Sequence, residues 1–572
     1  MKQLLLKQLL QIIIFFLICI SGYAQNFNLK IYGTNKTENG IIDSLNYIKK
    51  HSNTKSVIDE SNNTIEKLYK KGYLDIKSLE NQKENDSTYR YKFSLGNKIK
   101  YTYIYIGRNN SFFNPSEIKN DTLIIPYEET ENYINQKIID AEKQGFALSK
   151  IKLGNIRRNN MIIYADLNFN SEKKRNLNSI IINYTNDNRK DYFPKGHLKQ
   201  LNKKYINKTF NQKKIKELYE DINNFGFVNQ TKYPEILFTK DSTKVYIYIE
   251  KRKANTFDGY IGFSNDENKK LNLNGYLDIT LQNTIKAGEQ FSLYWKSDGN
   301  QQRTFNTKLE IPYIFKSPIG IKAQLNIFKQ DSTFQNTKTA IDLGYLINYN
   351  SKLYLGYQST ESSDIQNTNN TTISDFKNSF LTSTFDYTKT DAVNYLLPKK
   401  ANINFILGFG KRNTNNQPET VASSNQFYTN LNLSYNFELN EKNFININSQ
   451  NFYLTSKNYI VNELFRFGGI NSIRGFLENS LQANLFSSIL TEYRYVVSKN
   501  LYINSILDYG IYQDLTRKEN KPKIDKLTGI GAGTSIQTNN GILKINLTNS
   551  FINSQNLKLY NSIINICYNV KF

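Results

Sequence analysis

Histidine, cysteine, methionine and tryptophan are nearly missing from this chain, which holds two, two, two and one of them in 572 residues. Zinc and similar ions are held by clustered imidazoles and thiolates. Here His51 and His197 stand far apart, and neither has a cysteine or acidic set at ligand spacing. A nucleophilic serine needs a positioned base, and no histidine follows His197. No phosphate-binding glycine loop is present either. The chain therefore reads as a non-enzyme without metal or cofactor, and both histidines read as exposed polar residues. Long apolar runs are also absent after the N-terminus, so no later segment qualifies as a transmembrane helix, which needs about 20 apolar residues.

The one apolar run, Ile12–Ile20, follows Lys2 and Lys7 and precedes Ser21-Gly22-Tyr23-Ala24. A basic start, a short apolar core and small residues at its end predict a secretory signal peptide at 1–24, cleaved after Ala24. Cleavage removes Cys19 and leaves Cys567 alone, so no intrachain disulfide forms. An exported chain without disulfides points to a bacterial envelope. Export also argues against nucleic acid as a partner in spite of the net charge of +24. The lysines are scattered among acids and asparagines, which reads as a bias in residue usage that an anionic membrane surface favours.

What the chain does have is aromatic residues, 41 Tyr and 35 Phe, in a sequence of negative mean hydropathy. Two patterns organise them. In the first 254 residues, three polar helix-like runs each end in glycine plus an aromatic, at Gly72, Gly145 and Gly226, spaced 73 and 81 residues apart. That pairing marks a helix end at which glycine turns left-handed and the next apolar residue folds back. A strand-like run precedes each helical region, at Phe27–Tyr32, Tyr101–Ile106 and Ser179–Tyr184, and a pair of strands follows. The prediction is a repeat of strand, helical region, strand, strand, at 25–99, 100–176 and 177–254.

From 255 to 572 the pattern changes to runs of about 10 residues in strict alternation, roughly 16 in all, as expected for membrane-spanning strands. Leu271, Leu273, Leu277, Ile279 and Leu281 share one face of such a run, and Ile564, Ile566, Tyr568, Val570 and Phe572 share a face of the last. Period-two alternation gives each strand one apolar and one polar face. With a signal peptide and this strand length, the apolar faces are predicted to meet lipid around a polar lumen, in an antiparallel barrel that leaves no edge. Short connections such as Lys316-Ser317-Pro318 and Ser498-Lys499-Asn500 are expected on one side of it. Longer ones, Gln366–Thr372 and Asn413–Ser424, are expected on the other.

One late stretch breaks the alternation. Phe467, Gly468 and Gly469 are followed by Arg474, Gly475 and Phe476 in the reading F-G-G-I-N-S-I-R-G-F. An ordered glycine-rich loop with one arginine implies a fixed partner for the guanidinium. Alternation in the next two runs turns Ile489, Tyr493, Tyr495, Leu507 and Tyr509 to lipid. Glu492, Asp508 and Gly510 then face the lumen, where either acid can take Arg474 in a bidentate contact.

Taken together, the repeats, the barrel and F-G-G…R-G-F, with T-E-Y-R and L-D-Y-G after it, make the chain resemble the BamA/TamA family of outer-membrane assembly factors. Its N-terminal repeats resemble POTRA domains. Ile506 stands where the family often has an aromatic. The resemblance implies an outer-membrane protein with its repeats in the periplasm, acting on unfolded outer-membrane or secreted polypeptides, with accessory proteins as further partners. In that family the R-G-F loop enters the lumen and its arginine meets acidic wall residues. It also implies a seam between the first strand, which carries Gly259 and Gly262, and the last, which carries Val570 and Phe572. Glycine weakens a strand, and a weak seam can open and template an incoming strand. Two other transport readings remain: a two-partner secretion exporter, whose members typically have two periplasmic modules and a plugging helix, and a passive porin.

Overall fold

The computed structural model describes residues 27–107, 112–113, 118–185, 192–265, 271–298, 302–366, 373–390, 396–397, 399–414, 423–517, 523–539, 541–553 and 559–571. The predicted leader at 1–24 and Phe572 lie outside the described residues. Packing divides the chain into two units, Met1–Arg175 with Thr209–Gln212, and Asn176–Lys208 with Lys213–Phe572.

The first unit holds two sheets. In the first of them Phe27–Tyr32 runs parallel to Thr88–Ser94, with Lys77–Asn85 and Lys50–His51 outside them. Alternate residues Leu29, Ile31, Tyr91 and Phe93 bury against Ile42, Val57 and Leu68 of two helices, Lys36–Asp43 and Thr54–Lys70. Each helix starts where an asparagine, Asn35 or Asn53, accepts a hydrogen bond from a backbone N–H three residues on, which satisfies one of the otherwise orphaned first-turn donors. The second helix ends at Gly72, with φ +93°, and the Tyr73 N–H returns to the carbonyl of Leu68 at 3.1 Å. In the second sheet, Gly145 at φ +102° and the Phe146 N–H bond to Ala141 repeat that geometry. Only one α-helix, Thr130–Lys143, belongs to this sheet among the described residues. In place of a second helix a hairpin, Ile118–Lys119 and Thr122–Pro126, extends it to five strands. The hairpin turns on Asn120 and Asp121, both at positive φ, as a two-residue turn of the favoured hand requires.

In the second unit, Ser179–Tyr184 lies parallel to Thr243–Lys251, on whose other side Val228–Gln230 and Glu235–Phe238 pair. The third glycine departs from expectation. Gly226 is not among the left-handed residues; its lack of a side chain instead admits Gln282 of the barrel, whose Oε1 would lie 2.5 Å from an added Cβ. The histidines depart too. His51 is buried with Nε2 2.7 Å from the Ile48 carbonyl, and His197 is only 1% exposed. His197 shares a buried helix face with Leu201 and Tyr205 in Lys195–Tyr205, so its neighbours are rings rather than water. Phe193, Phe225, Phe227, Tyr313 and Tyr349 surround it at centroid distances of 4.8 to 6.4 Å. Neither ring nitrogen has a hydrogen-bond partner among the described residues. Burial lowers the His197 pKa to about 3, with the Lys352 charge adding to the effect.

The rest of this unit is a closed antiparallel barrel of 16 strands from Thr256–Asn265 to Ile563–Lys571. The alternation sorts as the period requires. Ile341, Leu355, Leu381 and Ile564 lie outside at 66 to 72% exposure, while Lys322, Asp342, Gln358 and Asn504 are buried inside. An exterior of exposed aliphatic and aromatic residues around a polar interior is stable only with lipid outside. The connections at 316–318 and 498–500 fall at one end of the barrel. Those at 366–372 and 413–424, only partly within the described residues, fall at the other.

Candidate functional site: a lumen loop clasped to the barrel wall

Between the strands Asn443–Thr455 and Leu485–Ser498, which pair directly, the chain makes its longest excursion. This loop carries a short hairpin, Phe465–Phe467 with Leu481–Ala483, and brings its own apolar residues into the lumen. Phe467 stacks on Phe486 at 4.0 Å and meets Tyr512 edge-on at 5.4 Å. Ile473 is fully buried in the same cluster with Leu490 and Leu527, and Phe476 packs at its margin. Gly468 and Gly469 have φ of +107° and +97°, which reverse the chain after Phe467 at little steric cost.

Arg474 is brought to both predicted acids. Its Nε donates to Asp508 Oδ2 at 2.8 Å, one terminal nitrogen donates to Oδ1 at 2.5 Å, and the other donates to Glu492 Oε1. The Arg474 backbone N–H adds a third bond to Asp508, at 3.0 Å. Arg494 holds the second oxygen of Glu492 at 2.7 Å. Asp508 has no exposure and Arg474 has 4%. Two parallel N–H···O bonds fix the guanidinium plane as well as its place, and removing one member of such a buried set costs about 3–5 kcal/mol.

Glycines make room for this contact. An added Cβ on Gly510 would lie 2.3 Å from Ile473 Cδ1, and one on Gly529, the cross-strand partner of Asp508, 2.4 Å from the Arg474 carbonyl. Gly475, at φ +89°, lies against Asn549, and its carbonyl accepts from Ser550 Oγ at 2.7 Å. Sequence reasoning did not single out Gly529, nor three further anchors of the loop. Glu478 pairs with Lys296 and accepts from the Tyr294 hydroxyl at 3.1 Å. Glu463 pairs with Arg412 and accepts from Gln426 at 2.8 Å. Asn462 donates to Ser362 and to the Ser374 carbonyl, each at 2.8 Å. The loop therefore reaches wall strands on opposite sides of the lumen.

The seam differs. Among the described residues, strand Thr256–Asn265 pairs with the last strand only through Thr256↔Lys571 and Phe257↔Val570, whereas it pairs along its whole length with Leu271–Gln282. Gly259 and Gly262 face that second strand, and an added Cβ on Gly259 would lie 2.4 Å from the Tyr276 carbonyl. Val570 takes part in the seam; Phe572 lies outside the described residues.

No family model matches the chain, and no curated protein does. Solved structures do. CdiB from Acinetobacter baumannii is 14% identical with a TM-score of 0.51, over 83% of this chain and 90% of that one. CdiB from Escherichia coli is 11% identical with a TM-score of 0.48, over 93% and 98%. BamA from Haemophilus ducreyi lacking POTRA domains 1–3 is 14% identical with a TM-score of 0.45, over 81% and 96%. The fold of this chain is thus like that of CdiB from Acinetobacter baumannii, here a closed 16-strand antiparallel barrel preceded in sequence by mixed α/β sheets.

Proposed function

We propose that this protein moves polypeptides into or across the outer membrane, and that it inserts outer-membrane proteins through the seam between its first and last strands. The observation that carries this is the two-pair contact Thr256↔Lys571 and Phe257↔Val570. An edge so poorly paired is a template for an incoming strand. The repeats at 25–99, 100–176 and 177–254 receive the unfolded client, and the clasp at Arg474, Glu492 and Asp508 keeps the loop docked while the seam works. No catalytic chemistry is assigned.

A dedicated exporter of the two-partner secretion kind is the second reading, because it shares a barrel with an inward loop. Three sheets precede the barrel here, which favours the assembly factor. The test replaces Cys567 with serine, then introduces Phe257→Cys and Val570→Cys, which face each other across the seam. Oxidation is expected to abolish delivery of outer-membrane proteins, and reduction to restore it. Full activity with the seam locked would overturn insertion and leave the lumen as the route.

A further inference from the structure

A cavity of about 370 Å³ lies inside the barrel, between the wall strands from Gln290–Asp298 to Asn443–Thr455 and the inner loop. Its walls combine three kinds of surface. The first is a run of rings: Phe380 meets Tyr428 edge-on at 4.9 Å, Tyr428 stacks over Phe452 at 6.3 Å, and Phe452 stacks over Phe465 at 4.7 Å.

The second is charge without a partner. Two acids line the cavity, and each already has its own cation: Glu463 has Arg412 and Glu478 has Lys296. Two more cations, Lys338 and Arg466, also line it. Neither makes a hydrogen bond or an ion pair among the described residues. The Arg466 guanidinium rests over the rings of Phe328 and Phe334 at 5.9 and 5.4 Å and has the field of Asp514, a carboxylate already paired with Arg517; Lys338 has the field of Asp342, a carboxylate already paired with Lys322. The third is a pair of idle acceptors. Asn378 Oδ1 and Gln426 Oε1 are buried at the cavity wall with no donor among the described residues, an unfavourable state unless a ligand or water satisfies them.

The geometry points to a binding site for an acidic saccharide, a small soluble sugar carrying a phosphate or carboxylate. The anion answers Lys338 and Arg466, the hydroxyls donate to Asn378 and Gln426, and the C–H face of the sugar ring lies on the aromatic run. The volume falls within the range of small-ligand pockets. The strands that wall the cavity pair continuously, so the acyl chains of a glycolipid are kept out and the ligand is a free sugar. The site is separate from the seam and does not depend on transport.

The test is calorimetry on the full-length protein in detergent with three probes: glucose 1-phosphate, glucose and inorganic phosphate. Glucose 1-phosphate is expected to bind about tenfold or more tightly than either of the others, since a charged hydrogen bond is worth about 1.5–3 kcal/mol. The double variant Lys338→Gln, Arg466→Gln is expected to lose about tenfold or more, and Lys338→Arg to retain most binding. Absence of glucose 1-phosphate binding would overturn the proposal. So would inorganic phosphate binding equally well, which marks a bare anion site, or unchanged affinity in a double variant whose heat-modifiable mobility shows a folded barrel. Should that variant not fold, the ratio of the three probes on the unmodified protein decides alone.

Discussion

Two stretches of the same barrel wall are fastened in opposite ways. Where Leu485–Ser498 pairs with Leu501–Gln513, the ladder runs nearly the full length of both strands. From inside it is reinforced by a buried arginine with two carboxylates. Where the barrel closes, two residue pairs hold Thr256–Asn265 to Ile563–Lys571, and no buried ion pair among the described residues crosses the join. A cylinder that needed only to be stable would spread its pairing evenly. Concentrating rigidity on one arc leaves another free to separate without unfolding the rest.

The largest expected effect that would break this contrast comes from Arg474→Ala. It strands the buried Asp508 carboxylate without a counter-charge, and the docked loop should lose about 3–5 kcal/mol. Protease cleavage between Gly468 and Ser480 should rise sharply while the barrel keeps its heat-modifiable mobility. A loop as resistant as before would mean the clasp carries no weight. Next comes amide exchange. The amides of Phe257 and Val570 should exchange far faster than those of Glu492 and Asp508, because opening free energies follow local pairing and burial. Equal protection would remove the distinction between the two arcs.

A smaller effect lies at His197, where the third sheet meets the barrel turns that carry Tyr313 and Tyr349. The docked ring titrates near pH 3 and a free one near 6.5, so the docked state binds fewer protons between those limits. Docking is therefore complete above about pH 6.5 and weakens by about 1.4 kcal/mol per unit as pH falls toward 3. Lys352 is the charged neighbour, and its charge acts in the same direction. Protection factors in the helix Lys195–Tyr205, corrected for the slower intrinsic exchange at low pH, should fall from pH 7 to 5, and His197→Phe should flatten that response. A profile unchanged by His197→Phe would remove the ring from the junction's energetics.

The lipid-facing side of the fold was legible because a period of two is hard to imitate: Ile489, Tyr493 and Leu507 sort themselves outward, and Glu492 and Asp508 inward, with no structure in hand. The inner side was only partly legible. Phe486, Leu490, Ile506 and Tyr512 also point inward and are buried, because the loop carries apolar residues that cover the wall beneath it. There an inward position is as apolar as an outward one, and alternation loses its contrast. The pairs Lys296–Glu478 and Arg412–Glu463 join distant segments, and antiparallel order reports neighbouring strands alone. Two signals were available and passed over. His197, Leu201 and Tyr205 recur every four residues, which is the spacing of a buried helix face. Asn120-Asp121, just ahead of the apolar run Leu123–Ile125, is a hairpin turn, which gives the second sheet its different start.

That hairpin makes the sheets ahead of the barrel differ at one border. In the second sheet it covers the flank of Tyr101–Tyr105, so that the borders among the described residues are the hairpin itself and Lys150–Asn159. In the third, Ser179–Tyr184 has no neighbour on its outer side among the described residues. Sheets that share one plan thus differ in whether their first long strand is covered or left as a border.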